Sequence, residues 1–118
     1  MYVKEFGKHL PHNLDKNGFV EVKSDADAID VGSLADLRNF INGTLNKVTA
    51  INKNVSSYGL KHICEDFLGK YVSNGELIAA MILCNFDYKR ISDTSPNAYF
   101  NVSMKDVNKL SRTRPRKK

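Results

Sequence analysis

The sequence predicts an α+β fold: a three-helix core with a C-terminal β-hairpin, short N-terminal strands before it and a flexible basic tail after it. Three observations predict it. Apolar residues recur at three- and four-residue steps between residues 33 and 85, alternate at two-residue steps between 87 and 103, and are absent from the last eight. At 118 residues, 42% hydrophobic and 26% charged, the chain is expected to form one domain over residues 1–110, with 111–118 as a disordered tail. Such a core needs neither a disulfide nor a metal as a staple.

The first 32 residues read as irregular to extended. "MYVKEF" and "GFVEVKS" have strand composition and are separated by the turn-rich "HLPHNLDKNG", with "SDADAID" as an acidic turn after them. From Ser33 the period becomes helical. Ser33 and Asp36 fit a capping box, and Leu34, Leu37, Ile41, Leu45 and Val48 form one stripe, which argues that the helix continues through Asn42-Gly43.

After a polar break over residues 54–57, with Ser57 as cap, a second helix carries Leu60, Ile63, Cys64, Phe67, Leu68 and Tyr71 on its inner face. Lys61, Glu65 and Asp66 point elsewhere. Gly69 stops it. Ser73 and Glu76 then match a second capping box ahead of "ELIAAMILC", which Asn85 ends in the left-handed conformation. "DYKRI" and "AYFNVS" alternate as two strands around "SDTSPN", a hairpin, and Ser103 with Asp106 caps a last short helix over 104–110.

Helix, helix, helix, hairpin is the order of a winged helix, in which the third helix reads DNA. Here that helix cannot do so. Between residues 75 and 86 the only polar side chains are Glu76 and Asn85, at its two ends, whereas a reading helix presents Arg, Lys, Asn or Gln along a face. It is expected to be a buried core helix. Any nucleic-acid contact must use the hairpin (Lys89, Arg90 and Asn97, beside Tyr88, Tyr99 and Phe100), Lys61, His62 or Lys70 before the buried helix, and the tail. Against this stands the plainer reading that the hairpin aromatics only alternate in and out of a half-buried sheet.

The net charge of +5 has one source. Residues 1–56 and 57–110 are each neutral, and the excess lies in "SRTRPRKK": Arg112, Arg114, Arg116, Lys117 and Lys118 around Pro115. With nothing apolar to bury, this segment reads as an arm that contacts phosphates, or as a merely solubilising end.

No cofactor or metal is expected. Cys64 and Cys84 sit among apolar neighbours, and no Cys-x-x-Cys or His-x-x-x-His spacing joins them to His9, His12 or His62. Gly-rich phosphate loops, nucleophile elbows and zinc-deaminase signatures are all absent. His62 and Glu65 read as an exposed contact one turn apart rather than a catalytic pair. With no apolar run of membrane-spanning length and no secretory leader, the chain is expected in the cytoplasm.

The segments "SSYGLKHICEDFLGKYVSNGELIAAMILCNFDYKR" and "SPNAYFN" resemble a group of short proteins encoded by phages, prophages and integrating elements. In that group a Ser-Tyr-x-Leu-Lys-His-x-x-Glu segment precedes Tyr-x-Ser-Asn-Gly and an apolar helix. The likeness covers residues 56–103, with Asn85 where a glycine is expected. It implies a mobile-element origin in a bacterial host and transfers no catalytic or binding residue. Two functions follow as expectations, both by binding and without catalysis. One is contact with nucleic acid through the hairpin and basic tail. The other is inhibition, of anti-CRISPR or anti-restriction type, by docking on a host defence protein that binds nucleic acid.

Overall fold

A helix that is apolar on every side has to lie at the middle of a domain, and α3 (Asn74–Leu83) does so: every residue from 77 to 83 is at most 2% exposed. The computed structural model describes residues 10–21 and 28–115. Within them the chain is α+β, with four α-helices and two small antiparallel sheets. Around α3 pack α1 (Ala35–Thr44), α2 (Ser57–Leu68) and an N-terminal hairpin of β1 (Leu14–Asp15) and β2 (Gly18–Phe19).

The start of α3 is fixed three times over. The Ser73 hydroxyl accepts from the Glu76 N–H while the Glu76 carboxylate accepts from the Ser73 N–H, the capping box that the sequence predicts. Gly75 donates its N–H to the Lys16 carbonyl, and a Cβ there would sit 1.6 Å from the Asp15 carbonyl oxygen, so only glycine admits the hairpin. The Asn74 amide donates to Asn17 O, Pro96 O and Asn97 Oδ1 at 2.9 to 3.3 Å, tying the N-terminal hairpin to the loop around Pro96.

The predicted C-terminal ends of α2 and α3 are present, but the start of α2 is capped by Ser56, not Ser57, whose buried hydroxyl instead accepts from the Ala98 N–H. Gly69 caps α2 at φ 68, and Asn85 follows α3 at φ 70. The predicted hairpin is β4 (Tyr88–Arg90) with β5 (Ala98–Val102). Ser103 caps α4 (Met104–Thr113) through the Asp106 N–H.

Several expectations are corrected. The helix begun near Ser33 is entered through a 3-10 turn (Val31–Leu34) whose cap is Asp30, not Ser33, and it ends at Thr44, one residue past Gly43. Leu45 is extended but still buried, and Val48, assigned to the helical stripe, lies in β3 (Lys47–Asn52) and is 43% exposed. The weak helix formers Asn42 and Gly43 let the chain leave the helix, and the β-branched residues beyond them pair with β5, which becomes the middle strand of an order β3-β5-β4. The register runs Lys47↔Val102 and Asn52↔Phe100, so β3 bulges by three residues, and the Asn101 amide fills the bulge by donating to Val48 O. Near the N-terminus, β1 lies inside the segment read as a turn. Of the described part of "GFVEVKS", residues 18–21, only Gly18 and Phe19 are strand; residues 22–27, which include its end and most of "SDADAID", and all of "MYVKEF" lie outside the described residues.

Candidate nucleic-acid interface

An exposed cationic face runs along α4, of which the sequence pattern singled out only Arg112. On α4, Val107 and Leu110 are buried and Lys105, Asn108, Lys109 and Arg112 are exposed. These four of its six exposed residues stand at i, i+3, i+4 and i+7, which confines them to an arc of about 100° diametrically opposite the two buried ones, with Ser111 and Thr113 outside it. No acid shares the arc. Asp106 lies on the flank, where its carboxylate accepts from the N–H and amide of Asn46 at 2.9 and 3.0 Å.

Both ends of α4 are held. At its start the Ser103 N–H also donates to Asn46 O at 2.9 Å, so the cap is bound to the chain entering β3. At its end Arg114 reaches back to α2, its Nε donating to Asp66 Oδ2 at 2.7 Å, with the Asp66 side chain only 7% exposed. The tail predicted from Ser111 onward is thus corrected. Residues 111–113 continue the helix, Arg114 is an anchor, and Arg116, Lys117 and Lys118 lie outside the described residues.

The hairpin contributes less than its composition promises. Arg90 points toward the N-terminal hairpin, its guanidinium 4.9 Å from the Phe19 ring centroid and donating to Asp93 O and Ser95 O at 3.1 and 3.3 Å. Tyr88 stacks on the same Phe19 ring at 5.6 Å. Asn97 is engaged by Asn74. Arg90 and Asn97 shape the loop, while Lys89, opposite Tyr99, and the 39%-exposed Tyr88 remain open to solvent. Lys70 is exposed too, 3.3 Å from Asp36 in an open pair that contributes little.

Comparison with protein-family models, curated proteins and solved structures finds no match. The chemistry of the surface therefore has to be read from its own residues.

Lys61 is the clearest departure from expectation. It is 6% exposed, its ammonium 3.3 Å from Glu65 Oε2 and 5.6 and 5.0 Å from the ring centroids of Tyr58 and Tyr71. Glu65, expected to point into solvent, is 9% exposed and accepts from the Val72 N–H at 3.0 Å, with His62 Nδ1 3.0 Å from its other oxygen. Burial pulls its carboxyl upward, yet the Val72 and Lys61 hydrogen bonds and the Lys61 and His62 charges outweigh that and hold it below the usual carboxylate value. The charged pair thereby fixes the turn between α2 and α3. Tyr71, expected on the inner face, is 73% exposed because the left-handed turn at Gly69 swings the chain away from the helix axis. With Tyr58, 54% exposed and edge-on to His62 at 4.6 Å, it makes an aromatic surface over the buried pair.

Cys64 and Cys84 are buried and unpaired with each other, as expected of core residues. Burial, with a smaller push from the Glu65 charge, raises the Cys64 thiol to about 12. Among the described residues no group of three metal-binding side chains comes together, and no helix is long and apolar enough to cross a membrane.

Proposed function

We propose that this chain is a small mobile-element protein that works by binding nucleic acid in the cytoplasm of a bacterial host, without catalysis. The single observation that supports it is the face of α4: Lys105, Lys109 and Arg112, with Asn108 among them, form no ion pair with an acid among the described residues, and the sequence beyond the helix carries further Arg and Lys residues. Counterion release from a phosphate backbone is the largest gain such a surface offers. On this reading a winged-helix-like order of α1, α2, α3 and the β4–β5 hairpin is the scaffold, α4 with the arm is the contact element, and Lys89 is an outlying phosphate contact.

A second reading is favoured by a different observation. Tyr58, His62 and Tyr71 form an exposed aromatic surface on a body whose charges otherwise balance, and exposed tyrosines of this kind anchor protein interfaces. Under that reading the protein is an inhibitor of anti-CRISPR or anti-restriction type docked on a host defence complex.

Titration of a labelled 20-base-pair duplex separates the two. The nucleic-acid reading predicts binding at about 50 mM salt that falls steeply by about 200 mM, is weakened by Lys89→Glu and is untouched by Tyr58→Ala with Tyr71→Ala. A folded protein that binds neither this duplex nor either of its single strands at low salt refutes it. If the tyrosine variant then loses a nuclease-resistant complex that the parent captures from bacterial lysate, the second reading stands.

A further inference from the structure

Phosphate contact alone does not account for the composition of the α4 face. Lysine already binds phosphate as a point charge, and arginine can do so with two hydrogen bonds at once. Asn108 adds no charge, yet it shares the arc, at one edge of it with Arg112 beside it one turn on, while Lys105 and Lys109 take the other side. Asparagine and arginine are the side chains whose paired polar atoms match adenine (N6 and N7) and guanine (O6 and N7) two at a time in the DNA major groove. We infer that α4 is a reading helix that enters the major groove of duplex DNA, with Asn108 and Arg112 directed at base edges and Lys105 and Lys109 at the flanking phosphates. This rests on the nucleic-acid reading above and adds to it the kind of nucleic acid, the groove and the division of labour.

The dimensions agree. Lys105 and Arg112 are seven residues apart, about 10.5 Å along a helix rising 1.5 Å per residue, which spans about three base-pair steps of 3.4 Å. A helix with side chains is about 10–12 Å across and the major groove about 12 Å wide. Only Val107 and Leu110 of α4 are buried, so the opposite side projects from the body rather than lying in a cleft. Its position is also fixed in advance. The Asn46 contacts with Ser103 and Asp106 hold the first turn and the Arg114–Asp66 pair holds the residue after the last, so little ordering remains to be done on binding. A-form RNA, with its narrow, deep major groove, would not admit the helix.

The test is selection of the full-length chain on a pool of random 20-base-pair DNA duplexes, with folding of each variant checked by thermal melting. The inference predicts an enriched core of about three or four base pairs. Within it Asn108→Ala and Arg112→Ala each relax preference at their own position, with about a tenfold loss on the selected duplex and little on random duplex. Lys105→Ala weakens binding to all sequences alike. Replacing purine N7 by carbon in the selected duplex removes major-groove acceptors and leaves the backbone intact, so it should reproduce the loss. Salt-dependent binding with no enriched core, or binding indifferent to loss of N7, overturns the groove inference and leaves the phosphate reading in place. No retention of any duplex at low salt overturns the groove inference, and no retention of single strands either overturns both.

Discussion

Replacing Glu65 by alanine probes the arrangement that most separates this structure from its sequence pattern. The carboxylate holds three partners at once: the Val72 N–H at 3.0 Å, the Lys61 ammonium at 3.3 Å and His62 Nδ1 at 3.0 Å. Truncation leaves an ammonium that is 6% exposed without its counter-charge, a loss of about 3–5 kcal/mol. Replacing both members by methionine removes the stranded charge and leaves mainly the unsatisfied Val72 N–H, so the double variant should lose only about 1–3 kcal/mol. Equilibrium urea unfolding at neutral pH, followed by circular dichroism, measures both. The pH dependence has a definite sign. Because the folded-state pKa of Glu65 lies below its unfolded value, its contribution is fully present above about pH 4.3 and is lost as pH falls through the lower folded value. A single variant within about 1 kcal/mol of the parent, or a double variant no better than the single, would refute a buried, structural pair.

Three other outcomes are expected. Gly75→Ala should detach the N-terminal hairpin from α3 and sharply lower the melting temperature, since its Cβ would meet the Asp15 carbonyl; an unaltered melt contradicts the close approach. Arg90→Ala should cost about 1–2 kcal/mol through its loop carbonyls and the Phe19 ring, while Lys89→Ala stays within about 0.5, as denaturant titration of each will read. Neither cysteine should react with a thiol reagent in the native protein at neutral pH, given two buried thiols and one raised to about 12, and fast labelling without unfolding would count against that burial.

What is legible in the sequence is what local chemistry controls. Ser73 with Glu76, Gly69, Asn85 and Ser103 each fix a helix end through contacts within a few residues, and the all-apolar run after Glu76 can only be a core helix. The β4–β5 pair is legible because its connection is short. By contrast, β3 is not, because its partner lies some fifty residues on and its own outward residues are exposed, so no alternation marks it; the Leu45 to Val48 spacing then mimics one more helical turn. Lys61 and Glu65, four apart on a helix, look like any surface pair, and only the chain turning at Gly69 to bring Val72 and Tyr71 over them reveals their burial. The α4 face is readable from the opposition of Val107 and Leu110 to Lys105, Lys109 and Arg112, but the concentration of charge in the last eight residues masks it. Arg114 shows why composition misleads there, since its partner, Asp66, is brought near only by the fold.

The central claim, that the exposed face of α4 carries the contact with nucleic acid, is tested most directly by the salt dependence of duplex binding. The measurement compares the parent with a variant carrying Lys105→Gln, Lys109→Gln and Arg112→Gln, all exposed positions whose replacement leaves the core alone. With Lys105 and Lys109 on phosphates, the slope of log affinity against log salt should shrink by at least about 1.8, at about 0.9 for each phosphate no longer neutralised, and by about 2.7 where Arg112 neutralises one as well. An equal slope in a variant that is still folded would contradict the claim and move the binding surface off α4.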